Sequence, residues 1–85
     1  MTRFRVAVQI IPRRGLLDPQ GKTVRDALVT LGFGSVSDVH VGRHIVIETA
    51  AKDATAAEAS VRAMCDRLLA NPVTEDFTID GVVAV

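Results

Sequence analysis

His40 and His44, in "HVGRH", are the first residues whose types and spacing suggest chemistry. Four apart on a helix, two imidazoles share a face and can hold zinc. The surrounding run "VSDVHVGRHIVIET" is rich in β-branched residues and reads as strand, which defeats the pair. Along a straight strand the rings stand about 13 Å apart, too far for one ion. Around a two-residue turn at Gly42-Arg43 they would face opposite sides. No metal site is expected.

Cys65 is the only thiol. It falls between Met64 and Leu68 on the apolar stripe of a helix, where a cysteine packs as a small hydrophobe, and mid-helix it is far from the N-terminal dipole that would activate it. "DPQGK", residues 18–22, could present backbone N–H groups at a helix start to an anion, but it lacks the full phosphate-binding pattern. No nucleophile has a base at a readable spacing, and no pair of titratable groups is forced together. No catalytic residue is expected.

Composition narrows the partners. Ten Lys and Arg balance ten Asp and Glu, so no net field favours nucleic acid or anionic lipid. Base stacking on an open sheet needs aromatics, and the chain has three Phe with no Tyr or Trp. A lone cysteine excludes an intrachain disulfide, and the N-terminal apolar run is too short for a signal core, so a cytoplasmic, non-membrane protein is expected. At 85 residues the chain fits one domain, residues 1–85, with a thin core that neither disulfide nor metal supports. Self-association is the remaining support.

The elements that must position these residues follow from periodicity. In "RFRVAVQII", Phe4, Val6, Val8 and Ile10 share one strand face. "PRRGLL" is a loop with Pro12 and Gly15 as breakers. Asp18 caps a helix over about 19–31, with Pro19 at its first position and the stripe Val24, Ala27, Leu28, Leu31. Asp53 caps a second helix with the stripe Ala54, Ala57, Val61, Met64, Cys65, Leu68, ending near Ala70 before Pro72. Phe77 and Ile79 alternate in a last strand, followed by the apolar tail "GVVAV". The order predicts an α+β, ferredoxin-like layout of two helices on a mainly antiparallel sheet.

Residues 36–49 are expected as one slightly bent strand, because Val39, Val41, Ile45 and Ile47 keep one parity that a two-residue turn would split. An open strand sends helix 1 to a second copy, giving a segment-swapped dimer. The sheet's far face, with Ala7, Gln9, Ile11 and Val46, is apolar enough to want cover.

"GLLDPQGKTVRDALVTLGF", "VSDVHVGRHIVIET" and "MCDRLLANPVTEDF" together resemble the PurS family, the small subunit of phosphoribosylformylglycinamidine (FGAM) synthase, over nearly the whole chain. His44 stands where an aromatic is expected, and "GVVAV" replaces an acidic end. The resemblance implies a non-catalytic subunit in purine biosynthesis, where formylglycinamide ribonucleotide, ATP and glutamine give FGAM. It implies a ferredoxin-related, segment-swapped homodimer that bridges a large synthetase subunit (PurL) and a glutaminase subunit (PurQ) and supports ammonia transfer. No cofactor is expected on this chain; ATP and Mg belong to the large subunit.

The expected partner-facing residues are Asp18, Pro19, Gln20, Gly21 and Lys22 at the first helix start, Gly42 and Arg43 in the long strand, and Asn71, Pro72, Val73, Glu75 and Asp76 at the second helix exit. There Asn71 is expected to satisfy helix-end carbonyls, leaving Glu75 and Asp76 as exposed anions for a basic surface. The competing reading is a free-standing ferredoxin-like regulatory domain that binds a small molecule.

Overall fold

The alternation of β1 dictates the core. In the computed structural model, which describes residues 1–15 and 18–85, β1 (Thr2–Pro12) turns Phe4, Val6, Val8 and Ile10 inward, and the last three are fully buried. It is the central strand of a three-stranded antiparallel sheet, flanked by β2 (Arg43–Ala51) and β3 (Glu75–Ala84). Helix α2 (Ala54–Met64) lays Ala57 and Val61 on that apolar face, with Cys65 beside them. Each such valine contributes about 1.5–3 kcal/mol on leaving water. Ile45, Ile47, Phe77, Ile79 and Val82 close the edges. The element order β-α-β-α-β is the one expected.

Both helix starts form as their sequences require. Asp18 caps α1 (Pro19–Thr30) by accepting from the Gly21 N–H at 3.0 Å, and Asp53 caps α2 by accepting from Ala56 at 2.8 Å. Gly32, at φ 104°, takes the left-handed conformation just past α1. The expected loop "PRRGLL" includes Leu16 and Leu17, which lie outside the described residues; Gly15 before them has φ 83°.

Two register changes were not expected. The helix after Met64 continues as a π turn over Cys65–Leu69, closed by the Ala70 N–H donating to the Cys65 carbonyl at 3.1 Å. The wider turn rotates Leu69 toward the core and leaves Leu68, expected on the buried stripe, 83% exposed. In β3 a bulge falls where Ala7 pairs with Gly81 and Val8 with Ile79. Asp80 is the extra residue, so the inward parity passes from Phe77 and Ile79 to Val82. The tail "GVVAV" is thereby part of the sheet.

The expected strand over residues 36–49 needs correction. β2 begins only at Arg43, and among the described residues, 36–42 pair with no strand of the same chain. A ladder requires a neighbour, and the single chain offers none there. No II′ turn closes at Gly42-Arg43, since Gly42 is not among the residues with positive φ. Instead the segment lies along α1: the Asp18 carboxylate also accepts from the Val41 N–H at 3.0 Å, and Arg25 donates to the Ser37 carbonyl at 3.0 Å.

Helix α1 and this segment form an arm that stands off the sheet. α1 buries only Gly21 and has no substantial packing on any strand or on α2. The radius of gyration is 16.4 Å, where a compact chain of this length would have about 12 Å, and the molecule measures 52 × 26 × 14 Å. Val24, Val29 and Leu31 of the arm and Ile11, Val46 and Val83 of the far sheet face are exposed in the single chain.

Candidate functional site

The fold brings most of the expected partner-facing residues to one place. Ile10 pairs with Arg43 and Pro12 with Glu75, so the end of β1 sits between the start of β2 and the start of β3. The first residues of α1 lie across from them. Asp18, Pro19, Gln20, Gly42, Arg43 and Glu75 line one open cleft of about 680 Å³. Asn71, Pro72, Val73 and Asp76 form its neighbouring corner, outside the cleft lining, and Lys22 lies toward Arg25 and His40 on the other side of the arm.

The corner is built differently from the sequence expectation. Asn71 does not serve helix-end carbonyls; its Oδ1 accepts from the Val73 N–H at 3.0 Å in an Asx-type turn. Arg43 serves the helix end instead, its Nη2 donating to the Leu69 carbonyl at 2.8 Å and to Glu75 Oε1 at 2.9 Å. The same Glu75 oxygen accepts from the Asn71 N–H at 2.8 Å. Glu75 is therefore no exposed anion, with only 17% of its side chain accessible. Asp76 remains more open and is paired with Arg13 at 3.3 Å.

Arg13 is the part of the corner that the sequence did not disclose. Its Nη2 donates to the Pro72 carbonyl at 2.8 Å and, at 3.4 Å, to that of Glu75. Nη1 reaches the Val73 carbonyl at 3.4 Å, and the Arg13 backbone N–H donates to Thr74 at 2.8 Å. In "PRRG" it reads as one of two solvated charges.

Electrostatics follow from these bonds. The N–H of Asn71, and next the Arg43 guanidinium, hold the Glu75 carboxyl below its ordinary 4.5. The N–H groups of Gly21 and then Val41 hold Asp18 below its ordinary 3.8, against a smaller opposing effect of burial. Both carboxyls are depressed, so the stability they contribute is complete above those ordinary values and is lost as pH falls through the lowered ones. The stability gap between the wild type and Asp18→Asn is accordingly expected to shrink in acid. Denaturant titrations over a pH series check this, and a gap undiminished in strong acid would count against it.

The other chemical candidates are dispersed. His44 pairs with Gln9 across the sheet, while His40 sits by the arm, with Nε2 3.1 Å from Asp38 and Nδ1 3.8 Å from Asp18. Among the described residues no three His, Cys, Asp or Glu side chains gather as a metal site. Cys65 is fully buried, and burial pushes its thiol up, away from reactivity. No described helix is long and apolar enough to cross a membrane.

Comparison with known proteins places this geometry. The family profile for PurS, phosphoribosylformylglycinamidine (FGAM) synthase, matches residues 5–82. The chain belongs to the PurS family. It is 35% identical to the PurS subunit of Bacillus subtilis, covering 95% of this chain and 98% of that one. Among solved PurS structures, that of Thermus thermophilus superposes with a TM-score of 0.84 at 35% identity over 98% of both chains. The chain from the Thermotoga maritima PurLQS structure gives a TM-score of 0.81 at 28% identity over the full length of both. These PurS relatives span the arm and the sheet alike, and the family assignment does not favour the free-standing regulatory-domain reading.

Proposed function

We propose that this chain is the bridging subunit of FGAM synthase, a ligase of the purine biosynthetic pathway, and that it contributes architecture and no catalytic group. It joins a PurL-type synthetase, which carries the ATP and Mg, to a PurQ-type glutaminase and supports passage of ammonia between them. The observation that carries this is the end-to-end match to the chain found within PurLQS of Thermotoga maritima. The cytoplasm is the compartment in which such a complex works.

The working unit is a homodimer made by exchanging arms. The elongated chain, the α1 helix that packs little on the sheet and residues 36–42, which join no ladder among the described strands, support it, because elements of a second copy would cover and pair them. Asn71 to Val73 and Asp76, the cleft residues Asp18 to Gln20, Gly42, Arg43 and Glu75, and the adjoining Gly21 and Lys22 face the larger subunits.

Reconstitution tests this reading. The chain alone should hydrolyse neither glutamine nor ATP, and its addition should restore glutamine-dependent synthesis to the other two subunits, with ammonia-dependent synthesis needing it less. A full glutamine-dependent rate without it would defeat the proposal. Cys65→Ala and His40→Ala should keep turnover at the wild-type level, with stability measured alongside to separate a cavity effect at Cys65.

A further inference from the structure

The corner from Asn71 to Asp76 is bonded far more heavily than its burial requires. Pro72, Val73 and Thr74 are exposed, Val73 by 72%, and none of them belongs to the core. Yet the side chains of Arg13 and Arg43, 44% and 52% exposed themselves, converge on this corner from the ends of neighbouring strands. Exposed pairs of this kind add little to stability, because ordering a long side chain offsets most of the gain. What they do fix is direction. Arg13 holds the carbonyls of Pro72, Val73 and Glu75 at once, and Arg43 holds the Leu69 carbonyl and Glu75. The π turn that ends at Leu69 meanwhile presents Leu68 outward.

We infer that Arg13 and Arg43 are positioning residues for assembly: they hold the corner, with its apolar tips Leu68, Pro72 and Val73, in the shape that the larger subunits recognise. The inference rests on the reading of this corner as partner-facing. A corner ordered in advance loses less entropy on docking, so its order appears as affinity for the partner rather than as fold stability. The guanidinium is required as a fork. Arg13 spreads three nitrogens over separate acceptors, which the single ammonium of lysine cannot reproduce.

The test uses the full chain carrying Arg13→Lys or Arg43→Lys, which keep the charge and remove the fork. Three quantities are read: amide exchange over residues 71–75, self-association by sedimentation, and affinity for the PurL- and PurQ-type subunits. Faster exchange at the corner, unchanged self-association and assembly weakened by about tenfold are expected. Wild-type affinity despite a loosened corner would overturn the inference. So would an unloosened corner, or a parallel loss of assembly and self-association, which would place the effect in the fold. Failure of the wild-type chain itself to assemble would instead defeat the functional reading beneath it.

Discussion

Gly21→Ala is expected to break the arm and abolish self-association, although helix propensity alone argues the reverse. In an exposed helix interior, alanine is favoured over glycine by about 1 kcal/mol. Here a Cβ would run into the Val39 carbonyl oxygen and meet the Asp18 carboxylate at 2.7 Å. The first obstacle is backbone and cannot rotate away. The helix would have to part from residues 39–41, which opens the Asp18 bond to Val41, and the Asp18 carboxylate would have to shift from its place at Gly21. Sedimentation and thermal melts against concentration read the result. A variant that melts higher and associates like the wild type would show that α1 and the following segment need not touch.

Ile10→Ala should come close to unfolding the chain at any concentration. Ile10 is the largest fully buried side chain, and its truncation costs about 2–5 kcal/mol through lost transfer and the cavity left behind. A domain this size holds only about 5–15 kcal/mol in total. Val24→Ala provides the contrast. Val24 is 41% exposed and belongs to a helix without substantial packing on its own sheet. If a second copy covers it, its loss should shift the association constant and leave dilute samples nearly unchanged. A Val24→Ala effect independent of concentration would remove the support that the arm gives to an exchanged dimer.

How far the sequence disclosed this molecule depended on whether a feature was local. The parity of Phe4, Val6, Val8 and Ile10, the two aspartate caps and the stop before Pro72 depend on nearest neighbours, and all were legible. The π turn and the bulge at Asp80 are single-residue changes of register set by packing, and no pattern in "CDRLLA" or "TIDGVV" announces them. The same distinction runs through the site. Most of its residues were recognisable as a group, but the roles within it were not. Asn71 serves its own turn, Glu75 is taken up by Arg43 from 32 residues away, and Arg13 reaches Asp76 across 63 residues. Bonds at that separation belong to the fold, and a linear reading sees only two charges in a loop.

The bulge at Asp80 also bears on how this chain tolerates change in length. After it, Val82 faces inward and Val83 outward. Asp80 has no partner on β1, so its loss would leave Ile79 opposite Val8 and Val82 opposite Val6, and a slip of one residue beyond it would still bury an apolar side chain, because "VVAV" is apolar in either frame. The same slip in β1 would bring Arg5, Ala7 and Gln9 to the core and turn Val6 and Val8 to water. Insertions and deletions among natural relatives are therefore expected to collect around residues 80–81 and to spare residues 4–10, and an alignment of their lengths would show it.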